Sequence, residues 1–188
     1  ADEYYREDFL NQIKANFKVP VQIGSLAGKS LEAGRYNSSF LISETGEILD
    51  RYDKNLLLYF GETYPYRELL NEYTPYNFSS LNAGLKNDLF KSNNLQWKTV
   101  ICSEILYPEY VKRKAEAVDF IVNQTNEAWF NESRLLKNTM WQAAVIRAVE
   151  NRKTIIKTGN QAHNGIIYPN GNYQKVEQAE GYYILEFN

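Results

Sequence analysis

The chain has 188 residues, with 21 lysines and arginines against 23 aspartates and glutamates, and a formal net charge of −2. That balance argues against a nucleic-acid-binding protein, which needs a basic excess to meet phosphates. The 44% hydrophobic and 14% aromatic content argues against disorder, and one cysteine beside one histidine excludes a disulfide framework and leaves no basis for a zinc centre or other metal site.

The length suits one domain with a sizeable core. The longest apolar runs, Leu56 to Phe60 and Val100 to Cys102, are far short of the ~18–20 residues that cross a bilayer. The stretch therefore reads as soluble. Ala1-Asp2-Glu3 has no signal-peptide character, and the chain is expected to be a piece of something longer.

Phe9, Ile13 and Phe17 at steps of four predict an amphipathic helix from about Tyr4 to Pro20. Strands are expected at Val21–Leu26, Tyr36–Ser43 and Ile48–Tyr52, the last two joined by a turn at Thr45-Gly46. From Lys54 to Asp88 regularity fades into segments rich in Pro, Tyr, Asn and Ser, which points to a functional loop. Leu95–Ile101 reads as a strand ending at Cys102, and Pro108 as the start of a short helix. Ala117–Val122 is the next strand, followed by a polar loop over 123–132. Ser133–Arg152 is the clearest helix, with Leu136, Met140, Ala144 and Ala148 along one side, flanked by Leu135, Trp141, Val145 and Val149. Strands near Thr154–Thr158, Gly165–Tyr168, Tyr173–Glu177 and Tyr182–Phe187 close the chain, with Asn170-Gly171 as a hairpin turn. Alternating strands and helices that end in hairpins predict a layered α/β domain over 1–188.

On composition alone, a lone cysteine in an apolar strand reads as a buried structural residue. Cys102 also lies where the buried run Thr99-Val100-Ile101 gives way to polar Ser103-Glu104. A thiol at such a bend can face a cavity while backbone N–H groups point at a developing oxyanion. It needs a base or cation to become a thiolate. His163, the only histidine, reads as structural or as a surface residue, so a lysine or carboxylate takes that role. Lys54, after a strand and before Leu56-Leu57-Leu58, and Glu62, eight residues on, are the candidates; taken alone, each reads as a solvated surface residue. Trp129-Phe130, in the polar run from Asn126 to Glu132, suggests a lid or binding wall, and packing accounts for it equally well.

Taken together, these segments resemble one family. Tyr52-Asp53-Lys54, Phe60-Gly61-Glu62 and Pro65 are similar to the "YDK…PFGE..P" segment of the apolipoprotein N-acyltransferase branch of the nitrilase superfamily (carbon-nitrogen hydrolase domain). Val100 to Glu104 is similar to its "ICYE" nucleophile segment, and Thr125 to Ser133 to "SNDAWFGxS". Arg147 to Arg152 resembles "RAIENR", and Pro169-Asn170-Gly171 the late "PxG" turn. The resemblance implies an α-β-β-α sandwich, here lacking its first strands, with a Glu-Lys-Cys triad. Cys102 would be the nucleophile that takes an acyl group as a thioester. Lys54 would stabilise thiolate and tetrahedral intermediate, and Glu62 would support the site. On the substrate side stand Ser103, whose N–H would bind the oxyanion, Glu104, Asn126, and Trp129 and Phe130 as walls of the acyl pocket.

The chain also departs from the pattern. The general-base glutamate of the family lies on a strand before the first helix, a strand expected upstream of Ala1. Leu56, Tyr59, Ser103 and Asn131 replace a His, a Pro, a Tyr and a Gly of the family, and Asn160-Gln161-Ala162 replaces "NTG". The implied function is N-acylation of a lipoprotein amino terminus from a phospholipid donor, without a cofactor, in bacterial lipoprotein biosynthesis. It implies a domain facing the periplasm, held at the inner membrane by segments absent from this chain. The Tyr-rich segment 63–83 would supply mobile apolar surface. Two alternatives stand beside it: a soluble cytoplasmic amidase or carbamoyl hydrolase using the same Cys and Lys, and a non-catalytic binding module that keeps the fold without the base.

Overall fold

The computed structural model describes residues 10–12, 14–28, 34–74, 80–85, 88–131 and 133–176. Two compact units divide the chain, Ala1–Asn87 and Asp88–Asn188. In the first, β1 (Val21–Ala27), β2 (Tyr36–Ile42) and β3 (Ile48–Asp53) form an antiparallel sheet in that order. The predicted β2–β3 turn is present: the Ser43 N–H donates to Glu47 O at 2.8 Å and the Gly46 N–H to Ser43 O at 3.0 Å, with Gly46 at φ 84°. Leu41, Ile42 and Tyr52 are buried from this sheet.

Of the first predicted helix, residues 10–12 and 14–16 are helical, Phe17 lies beyond them and is exposed, and Phe9 and Ile13 fall outside the described residues. The segment after Lys54 is more regular than expected. It contains α1 (Arg67–Tyr73), and β4 (Leu89–Ser92), an element the sequence reading did not place, follows directly after it. Neither shows a long apolar period, since α1 spans 7 residues and β4 only 4.

The second unit carries a six-stranded sheet of β4, β5 (Leu95–Ile101), β6 (Phe120–Asn126), β7 (Thr154–Asn160), β8 (Asn164–Ile167) and β9 (Tyr173–Val176), in sequence order. β5, β6 and β7 run parallel and the other pairs antiparallel. A buried parallel strand reads as a near-continuous apolar run, as in Val100-Ile101 of β5 and Ile121-Val122 of β6, all buried. α2 (Pro108–Lys112), with its proline in the first turn as expected, lies in the β5–β6 crossover, and α3 (Arg134–Asn151) in the β6–β7 crossover. The expected strand at Tyr182–Phe187 lies outside the described residues.

Two sequence expectations shift. The strand placed at Ala117–Val122 is β6, three residues later, so Asn123, Gln124 and Thr125 are strand rather than loop. In α3, Ser133 is the N-cap, its hydroxyl accepting the Leu136 N–H at 3.4 Å. The buried side is Met140, Trp141, Ala144, Arg147 and Ala148, while Leu135 is 77% exposed and Leu136 45%. At about 100° per residue, a run of fours drifts by about 40° each step, which rotates Leu136 off the buried arc and puts Leu135 opposite Ala144. α3 packs on β7 and on the turn that follows β5.

Candidate active site

In the first unit, Lys54 follows β3 and is buried. Its backbone is pinned on both sides: its N–H donates to Asn37 O and its carbonyl accepts the Gly84 N–H, each at 2.8 Å. A Cβ on Gly84 would lie 2.1 Å from Asp53 O, so only glycine allows this approach. The Lys54 ammonium donates to Glu62 Oε2. That oxygen also accepts the Leu58 N–H at 2.9 Å, and Glu62 Oε1 accepts the Asn37 amide at 2.8 Å. The loop delivering Glu62 is wound on Leu58 O, which accepts the N–H groups of Gly61, Glu62 and Thr63, with Phe60 left-handed at φ 62°. The structure therefore brings Lys54 and Glu62 together as a braced pair.

In the second unit, β5 ends in a 3₁₀ turn, Cys102–Leu106. Cys102 opens it at φ 50°, a left-handed conformation uncommon for any residue but glycine, asparagine or aspartate. Such a bend lifts a side chain out of the strand plane, and strain of this kind clusters at functional sites. Cys102 is only 6% exposed. Glu104, fully buried, turns back to accept the Ile101 N–H at 2.7 Å and so braces the bend. Ser103 is buried beside it. From β6, the Asn123 amide donates to Val100 O at 3.3 Å and Cys102 O at 3.4 Å.

At the carboxyl end of β6, Asn126 is exposed and its Oδ1 accepts the Ala128 N–H at 3.2 Å and the Asn160 amide at 3.3 Å. The 3₁₀ turn Ala128–Phe130 then presents Trp129, 50% exposed, against half-buried Phe130, with ring centroids 5.1 Å apart. Cys102, Asn126 and Asn160 thus mark the carboxyl ends of three parallel strands, the edge where open α/β sheets place their ligands.

Sequence reasoning missed Lys157 and Asn123 and assigned no role to Glu127. All three are buried, and Lys157 donates to Glu127 Oε1 at 2.6 Å. Burial pushes the Lys157 ammonium below the usual lysine range, opposed first by Glu127 and less by Cys102. One signal was present: Lys157 falls in step with Ile155, two residues earlier on the buried side of β7. His163, half-buried, hydrogen-bonds Asn138 Oδ1 at 2.9 Å and lies edge-on to Trp141. Among the described residues, no group of His, Cys, Asp and Glu is arranged to hold a metal ion.

Residues 7–173 match the carbon-nitrogen hydrolase family, and the chain belongs to it, within the nitrilase superfamily. It is 34% identical, over 82% of its length, to the apolipoprotein N-acyltransferase of Aquifex aeolicus, of which it covers 34%. To the protein of that name from Bdellovibrio bacteriovorus it is 28% identical, over 86% of the chain and 31% of that protein. The chain therefore spans about a third of the length of the curated relatives it matches. Its fold is similar to that of an amidase from Nesterenkonia sp., with TM-score 0.68 at 16% identity, covering 93% of this chain and 62% of that one. A Saccharomyces cerevisiae member of branch 10 of the nitrilase superfamily aligns equally well, with TM-score 0.68 at 16% identity over 94% of this chain and 62% of that one. In a mutant of the Nesterenkonia amidase, the acetamide moiety of fluoroacetamide is covalently added at the active-site cysteine. Among the described residues, no helix is long and apolar enough to cross a membrane.

Proposed function

We propose that the chain carries out acyl transfer through a thioester on Cys102, from a phospholipid donor to the amino terminus of an apolipoprotein. The observation that carries this reading is the left-handed Cys102 at the carboxyl end of a buried parallel strand, opening a turn braced by Glu104. The sulfur attacks the donor ester carbonyl, and the C–O bond to the glycerol oxygen breaks. The thiol proton passes to the general base and on to the departing glycerol oxygen, which leaves as the alcohol with the acyl group on sulfur. The acceptor amine then attacks the thioester carbonyl, the C–S bond breaks, and the amine's surplus proton passes to the general base. That base is a glutamate on an earlier strand, by resemblance to the family. By the same resemblance, Lys54, oriented by Glu62, would supply positive charge to thiolate and intermediate, and the Ser103 N–H would meet the oxyanion. Trp129 and Phe130 receive the acyl chain beside Asn126.

The finer architecture, an α-β-β-α sandwich, belongs to the same proposal, as does a periplasm-facing domain held at the inner membrane. A second reading, an amidase that passes the acyl group from Cys102 to water, is favoured by the fold shared with the Nesterenkonia enzyme. The experiment gives the natural full-length protein two substrates in parallel: a phospholipid with a free-amine lipopeptide, and a short aliphatic amide. N-acylated lipopeptide, lost in Cys102→Ala, supports acyl transfer. Ammonia from the amide with no lipopeptide product moves the assignment to the amidase. If neither substrate turns over, the chain is a non-catalytic relative.

A further inference from the structure

The sheet register puts an ionic pair in line with the nucleophile. Val100 pairs with Asn123 across β5 and β6, and Asn123 with Lys157 across β6 and β7. Residues level with one another on parallel strands project from the same face. The Asn123 amide, from the middle of that row, reaches the carbonyls of Val100 and Cys102, so this is the face beneath the Cys102 turn. Cys102 is among the groups that favour a charged Lys157 against its burial, and the Lys157 Nζ is held at 2.6 Å by Glu127 Oε1.

Stability does not account for this pair. Two charges removed from water regain their solvation only with good geometry and further hydrogen bonds. Here Glu127 Oε2 and Asn123 Oδ1 are buried without a hydrogen-bond partner. Buried native polar groups are nearly always satisfied, so such exceptions call for a reason. A strongly desolvated ionic group beside a reactive side chain is typical of functional sites.

We propose that Glu127 and Lys157 are a positioning pair for the nucleophile: Glu127 holds the Lys157 ammonium on the Cys102 face of the sheet, and that fixed charge sustains the thiolate and the intermediate formed from it. The proposal rests on the reading of Cys102 as nucleophile. Burial disfavours a charged Lys157 and Lys175 adds to that effect, while the Glu127 carboxylate is the first influence opposing them and Cys102 a lesser one.

Two double variants of the full-length protein separate charge from packing. Glu127→Gln with Lys157→Met keeps the volume and removes both charges. Glu127→Asp with Lys157→Arg keeps both charges, shortening the acid by one methylene and carrying the positive charge on a longer-reaching guanidinium. With melting unchanged, the charge-free pair is expected to lower the rate of Cys102 alkylation by iodoacetamide at pH 7 about tenfold, the effect of one pKa unit. The charge-keeping pair should stay within about threefold of the parent. A charge-free variant that alkylates like the parent overturns the proposal. So does a charge-keeping variant that folds like the parent yet loses reactivity, and this arm decides the matter even where the charge-free pair fails to fold. Alkylation needs no acyl substrate, so these outcomes stand apart from failure of the functional reading, which appears as turnover retained in Cys102→Ala.

Discussion

Asn131 stands where the related pattern closes on a glycine, and its backbone, at φ 50° and ψ −140°, is one that glycine adopts at little cost and other residues rarely. Asn131→Gly should relieve about 1 kcal/mol of strain and raise the melting temperature by about 2–4 °C in a domain of this size, read by calorimetry. Lys54 is buried with its ammonium on Glu62. On the role proposed for it, Lys54→Met should lower turnover by about 10²-fold or more, the scale of a lost catalytic charge, and an unchanged alkylation rate at Cys102 would count against that role. The bend at Cys102 was legible because an apolar strand there gives way to two polar residues. Lys157 and Glu127 were not, because they lie far apart in sequence and meet only through the parallel register of β6 and β7.

Among the described α-helices, α3 carries the most packing. Its Trp141 is buried, lying edge-on to Tyr173 with ring centroids 5.3 Å apart and beneath the Lys175 ammonium at 5.4 Å. Trp141→Ala should cost about 3–5 kcal/mol, measured by urea titration. Because α3 packs on the Cys102 turn, that variant should also lose activity before it unfolds globally. The hairpin of β2 and β3, the strand β5 and the helix α3 were readable from turn residues and apolar period. The end of β6 was misread as loop because Asn123-Gln124-Thr125 is polar. It remains strand because its backbone pairs on both sides and the Asn123 amide is taken up by carbonyls of the Cys102 turn. Polar residues inside a buried strand were what disguised the element.

For the whole molecule, membership in the carbon-nitrogen hydrolase family fixes the class of chemistry expected, while donor and acceptor remain the proposal's to establish. The chain covers 34% of its Aquifex relative, so function is best tested on the natural full-length product. The most direct measurement is mass spectrometry of the Cys102 peptide after the full-length protein meets a phospholipid in the absence of an amine. The account predicts a mass increase of one acyl chain on that peptide, labile to hydroxylamine and absent in Cys102→Ala. An unmodified Cys102 peptide, with product still formed by Cys102→Ala once the amine is added, would contradict it.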